Sequence, residues 1–270
     1  MIEKKILESF DKSKIYYEIS RNDRNKDFLV FIHGIGVNHT MFKYERNHFI
    51  KKNFNVIVLD LRGHGLSENN KEKLTLKDFA KDLELILRKE KVKKVILVGH
   101  SMGGFIAIKF YSLFRKYVKS MVLVNSSYAL TLRTVRYSFL PIGFLIGLLI
   151  YIKFRIFKHK YPKEIDFSQF KGQDMYITYL SLVSTNFNNF YGSFMAMINE
   201  DMGPILKKIH VPILIIEDEF DNIFKKLSYH FMHVSLPNSK IKLGQGEHDS
   251  VMQRPRDTVT YVSKFLRENY

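Results

Sequence analysis

Cysteine is absent from the 270 residues, which excludes disulfides, thiolate metal sites and a cysteine nucleophile. Tryptophan is absent as well. The N-terminal run MIEKKILESFD has no long apolar stretch and carries acids early, so the sequence predicts no secretory signal and a cytoplasmic protein. Zinc-finger, RRM and KH patterns are missing, and no nucleic-acid partner is expected. Internal repeats and linker-like stretches are missing too.

What is present is a globular composition. Hydrophobic residues make up 46% and charged residues 26%, enough for a sizeable core in one large α/β domain, with or without a small insert. The formal net charge is +16. It has two readings, a lysine-rich compositional bias or attraction to an anionic membrane surface.

Two short segments, MIEKKIL and KIYYEIS, read as opening strands. FLVFIHG (28–34), NVIVLD (55–60), KKVILVG (93–99) and SMVLVN (120–125) are continuous apolar runs, the pattern of strands buried on both faces. Helical stretches are expected at 40–52, at 75–91, where Thr75 and Asp78 open an apolar stripe, and at 102–115. The alternation resumes with strands VPILII (211–216) and SKIKLG (239–244) and a closing helix at 255–268. This order predicts an α/β fold with a mostly parallel central sheet flanked by helices. Between 126 and 200 the alternation breaks into aromatic, basic sequence. The expected organisation is a core of 1–125 and 201–270 with a helical cap inserted at 126–200.

Gly99-His100-Ser101-Met102-Gly103 matches G-x-S-x-G between an expected strand and an expected helix, the setting in which the motif exposes a nucleophile. The helix N-terminus behind Ser101 favours a developing negative charge. His33-Gly34-Ile35-Gly36 ends the strand FLVFI. In this architecture the oxyanion donors are the N–H after the nucleophile and one from this loop, here Met102 and Ile35. Gly34 and His100 are expected beside the substrate. His33 could act as a base or simply order its loop. A serine hydroxyl needs a general base, and His248, in the loop after the last strand, stands at the same sheet end. The acid that orients it is sought after VPILII, where Glu217, Asp218, Glu219 and Asp221 are available. Asp221 is preferred, with Asp218 and Glu219 as alternatives.

Together HGIG at 33–36, DLRGHGLS at 60–67, GHSMGG at 99–104, VPILIIEDEFDNIF at 211–224 and GQGEHDSVMQRP at 244–255 resemble the α/β-hydrolase family, in particular its monoglyceride lipase, lysophospholipase and esterase branch. The match runs in order through everything outside 126–200. The resemblance implies Ser101, Asp221 and His248 as a catalytic triad, since the family acid falls nine residues after the proline of the VP strand, here Pro212. It implies that Asp60, Arg62, Gly63, Gly65 and Ser67 order a loop beside the site. It implies no metal and no cofactor. The sequence departs from the family where Asp218 replaces a usual glycine, where Gln253 stands at a common acid, and at Glu247.

FLPIGFLIGLLIYI (139–152) is shorter than the about 20 apolar residues of a membrane span, and basic residues flank it: Arg133, Arg136, Lys153, Arg155, Lys158 and Lys160. It could roof an acyl pocket, or 133–160 could contact an anionic membrane peripherally. The expected activity is ester hydrolysis of a lipophilic acyl substrate, such as a monoacylglycerol or lysophospholipid, through an acyl-enzyme. Thioesterase, amidase and carbon–carbon hydrolase chemistry, or a slow ligand receptor, would use the same residues.

Overall fold

The computed structural model describes residues 1–23, 26–130, 145, 148, 149, 152, 165–169, 185–224 and 226–270. Among them, eight strands form one sheet: β1 (Ile2–Glu8), β2 (Lys14–Ser20), β3 (Phe28–Ile32), β4 (Asn55–Leu59), β5 (Val95–His100), β6 (Val118–Val124), β7 (Ile213–Asp218) and β8 (Ser239–Gly244). Their spatial order is β1-β2-β4-β3-β5-β6-β7-β8. β2 pairs antiparallel with both β1 and β4, and every pairing from β4 through β8 is parallel.

The apolar runs become the inner strands. Every residue of β3, β4 and β5 is buried, because parallel strands are covered on both faces by their crossover helices. One layer packs α2 (Leu76–Lys89) and α3 (Met102–Phe114) against Val30, Ile32, Leu97 and Met121. The other packs α1 (Lys43–Lys51) and α6 (Pro255–Asn269) against Phe31, Val58, Val98 and Val122. Each fully buried Leu, Ile, Val or Phe contributes about 1.5–3 kcal/mol relative to exposure. The start of α2 is set as its sequence implies, with Asp78 accepting from the backbone N–H and hydroxyl of Thr75 at 3.0 and 2.7 Å.

The expected helix at 40–52 is divided. A 3-10 turn, His39–Phe42, precedes α1, because the Asn38 side chain accepts from Thr40 N–H at 3.0 Å and tightens the chain there. β8 lies at the sheet edge with most of its residues exposed. In the β6-to-β7 connection, α4 (Phe187–Ile198) is described and packs Phe194 and Met197 into the core. Much of 126–200, including most of 133–160, lies outside the described residues. α5 (Lys226–Ser235) links β7 to β8.

Candidate active site

The parallel strands all end on the same side, and the loops leaving β3, β5, β7 and β8 meet there. Ser101 sits between β5 and α3 with φ 51° and ψ −119°, a left-handed conformation that costs a non-glycine residue about 1–3 kcal/mol. The neighbouring glycines make it feasible. A Cβ on Gly99 would lie 2.4 Å from the Gly103 carbonyl oxygen, and one on Gly103 would lie 2.0 Å from that of Ile32. Only hydrogen at these positions lets strand and helix approach closely enough to hold the turn. Ser126, after β6, donates its hydroxyl to the Ser101 carbonyl at 2.7 Å and fixes it from behind.

His248 Nε2 lies 3.0 Å from Ser101 Oγ, and its Nδ1 lies 3.1 Å from Asp221 Oδ1. The structure thus brings Ser101, His248 and Asp221 into one continuous chain of contacts. Asp221 Oδ1 also accepts from the N–H groups of Ile223 and Phe224, at 2.8 and 3.2 Å, and Oδ2 accepts from the Tyr229 hydroxyl. Burial alone would raise the Asp221 pKa. The positive charge available to His248 and these hydrogen bonds outweigh it and hold the carboxyl below its usual value. Tyr229, 1% exposed on α5, is a site residue that sequence reading missed, because nothing local marks one helical tyrosine as facing a loop carboxylate.

The alternatives for the acid go elsewhere. Asp218 is buried, with one oxygen on Gly246 N–H and the other on Asn125. Glu219 is exposed.

The loop after β3 adjoins the serine: a Cβ on Gly34 would lie 3.3 Å from Ser101 Cβ. Ile35 follows, and Gly36 turns the backbone at φ 79°. Met102 opens α3, where an N–H has no partner within the helix. His33 orders the loop: its Nε2 accepts from Leu61 N–H at 2.9 Å and its Nδ1 donates to the Gly34 carbonyl at 2.7 Å. His100, expected beside the substrate, lies next to Ser101 and against the base loop. It is buried, and its Nε2 donates to the main-chain carbonyl of His248 at 2.7 Å. Burial and the neighbouring His248 push its pKa down to about 3, so the ring stays neutral.

The loop after β4 is held by Asp60, which accepts from His39 N–H and Nδ1 and from Leu66 N–H at 2.7–2.8 Å. The connection between β6 and β7 is fastened to the loop after β3. Asn38 Nδ2 donates to the Ile165 carbonyl at 2.9 Å, Thr40 Oγ1 accepts from Phe167 N–H at 2.8 Å, Lys43 pairs with Asp166 at 2.6 Å, and Thr185 donates to the Gly36 carbonyl at 3.2 Å. Among the described residues there is no cluster of three or more His, Asp or Glu side chains able to hold a metal ion.

Comparison with known proteins agrees with the fold. The family model described as alpha/beta hydrolase fold matches residues 27–142, and the chain has that fold. A putative esterase/lipase of Mycoplasma pneumoniae is 34% identical over 102 residues, 37% of this chain and 38% of that protein. An AB hydrolase superfamily protein of Bacillus subtilis is 38% identical over 82 residues, 30% of this chain and 31% of that one. The match therefore spans about a third of the length of these curated relatives. A solved esterase from Exiguobacterium antarcticum superposes with a TM-score of 0.78 over 98% of this chain and 100% of that one, at 18% identity.

Proposed function

We propose that the protein is a serine hydrolase that cleaves carboxylic esters of lipophilic acyl groups through an acyl-enzyme. The observation that carries this reading is the unbroken path from Ser101 Oγ through His248 to Asp221, at 3.0 and 3.1 Å, beginning on a strained turn. Ser101 Oγ attacks the ester carbonyl carbon while its proton passes to His248 Nε2. Negative charge gathers on the carbonyl oxygen, which the N–H groups of Ile35 and Met102 receive; one such donor is worth about 2.7–4 kcal/mol. Asp221 stabilises the imidazolium. The carbon–oxygen bond to the alcohol breaks, and the alcohol leaves with the proton from His248. Water then attacks the acyl-enzyme, giving its proton to His248, and the acid is released as Ser101 regains a proton. No step draws on a metal or cofactor.

The 126–200 segment serves as a cap in this reading, and monoacylglycerols or lysophospholipids are the preferred substrates. Leu145, Leu148, Leu149 and Ile152 are 59, 41, 58 and 43% exposed at spacings of one helical face. Basic residues flank them in sequence, which favours peripheral contact with anionic lipid. Among the described residues no helix is long and apolar enough to cross a membrane.

The test is fluorophosphonate labelling of wild type beside Ser101→Ala, followed by hydrolysis of an ester series of increasing acyl length. Labelling that requires Ser101, with fastest turnover on longer chains, supports the reading. A folded wild type that is never labelled overturns it. Co-sedimentation with phosphatidylglycerol vesicles that survives Ser101→Ala but fails when Leu145, Leu148 and Leu149 become serine supports the membrane contact.

A further inference from the structure

The base needs a fixed main chain as well as an oriented ring, and the loop that carries it, 244–249, follows an exposed edge strand. Regular sheet pairing ends at Gly244, which stands opposite Asp218. Beyond it, side chains from two other strands take hold. Asn125, fully buried just after β6, adopts φ 43°, a conformation asparagine tolerates better than most side chains. Its Oδ1 accepts from Asp218 N–H at 3.0 Å. Its Nδ2 reaches Asp218 Oδ2 at 2.8 Å, the carbonyls of Glu247 and His248 at 3.0 Å each, and Ser250 Oγ at 3.2 Å. Asp218 Oδ1 accepts from Gly246 N–H at 2.9 Å. His100 closes on the His248 carbonyl from the other side at 2.7 Å.

We propose that Asn125 and Asp218 are positioning residues, a buried pair that clamps the main chain of the 244–249 loop so that His248 stays in register with both Ser101 and Asp221. The inference rests on the serine-hydrolase reading. It assigns different tasks to the two aspartates at the end of β7: Asp221 orients the imidazole and Asp218 holds the backbone beneath it. It also accounts for Gly244 in the loop, because a Cβ there would lie 2.1 Å from Asp218 Oδ1, while one on Gly246 would meet Ser250 Cβ at 2.5 Å and Asp218 Oδ1 at 3.1 Å. At Gly244 the carboxylate occupies the space that a side chain would need. Asp218 stands where the resemblance has glycine, so this device belongs to this chain's own sequence.

The experiment compares wild type, Asn125→Ala and Asp218→Asn. It follows the rate and final extent of fluorophosphonate labelling as a function of pH, kcat and KM on 4-nitrophenyl butyrate, and the thermal melting curve. A displacement of about 1 Å in a reacting group can cost about 100-fold. The clamp therefore predicts a loss of ten- to 100-fold in kcat and in labelling rate, a KM within about threefold of wild type, and a shifted pH midpoint of labelling as His248 slips from Asp221. A merely structural role would reduce the extent of labelling, as molecules unfold, while those still folded react at the wild-type rate and midpoint. Asp218→Asn is nearly isosteric and keeps the acceptor for Gly246 N–H, so it carries the test if Asn125→Ala does not fold. Wild-type rates in folded variants overturn the clamp alone. Absence of labelling in wild type overturns the hydrolase reading and the clamp with it.

Discussion

Tyr229 donates its hydroxyl to Asp221 through the carboxylate oxygen that His248 does not use. The aspartate is thereby gripped from both sides, and its rotation about the Cβ–Cγ bond is fixed. Hydrogen bonds to charged groups contribute about 1.5–3 kcal/mol. Tyr229→Phe removes only the donor. It is expected to slow fluorophosphonate labelling about tenfold, with Asp221→Asn falling further, by about 10⁴ in kcat. Second-order labelling rates at fixed pH check the first and kcat on 4-nitrophenyl butyrate the second, and equal labelling rates for wild type and Tyr229→Phe would show that the hydroxyl is irrelevant to the site.

The serine turn is a backbone construction, so its weakest points are the glycines. Gly103→Ala places a methyl 2.0 Å from the Ile32 carbonyl oxygen, a main-chain atom that cannot swing away. Its destabilisation should reach or exceed the about 1–3 kcal/mol usual for overpacking. Urea denaturation midpoints test this. Ser101→Ala at the same turn should leave stability equal or higher while abolishing labelling.

Arg62 is fully buried, with Nε and an amino group on Asp82 at 2.7 Å and another amino group on Asp11 at 2.7 Å. Removing one partner leaves a buried charge uncompensated, at a cost of about 3–5 kcal/mol. Arg62→Leu is therefore expected to lower the melting temperature sharply. Arg62→Leu with Asp82→Leu should recover part of the loss, and calorimetry of the three proteins measures how much.

Three buried imidazoles set a pH limit. Burial pushes His33 and His100 down to about 3 and His64 to about 4, with a neighbouring histidine adding to the effect for His33 and His100. The unfolded chain binds protons at these positions from about pH 6.5, the ordinary value, whereas the folded chain does not. Stability must then fall as pH drops below about 6.5, continuing toward the folded values, by about 1.4 kcal/mol per pH unit for each proton. Melting temperatures should rise with pH from pH 4 to about pH 6.5, above which these three groups add nothing further and the raised pKa of His39, about 9, acts in the opposite direction. His64→Asn should flatten the slope, and an unchanged slope would mean that His64 is not the group concerned.

The parallel strands were legible because each is a short run of apolar residues buried on both faces. The serine motif was legible because its glycines and its strand-to-helix setting are contiguous in sequence. Asp221 was distinguishable only through family spacing, since four acids follow one another closely and only the geometry at His248 Nδ1 separates them. The antiparallel pairing of β2 with β4, the fastening of 165–167 to Asn38 and Thr40, and the roles of Tyr229, Asn125 and Asp218 could not be read. Each depends on residues far apart in the chain whose local sequence carries no signal. The partner of His100 was hidden for the same reason: its neighbour at the nucleophile is visible in sequence, but the carbonyl it bonds lies 148 residues away.

The ties from Asn38, Thr40, Lys43 and Gly36 to the β6–β7 connection have a bearing on recombination between homologues. That connection cannot be exchanged as a self-contained module. A transplanted version would need to arrive with a matching 36–43 loop, or its feet would find no holds. Conversely, importing both pieces together carries over a donor's loop after β3 along with its β6–β7 connection. Chimaeras between this chain and its relatives should therefore succeed or fail by whether both segments come from one parent.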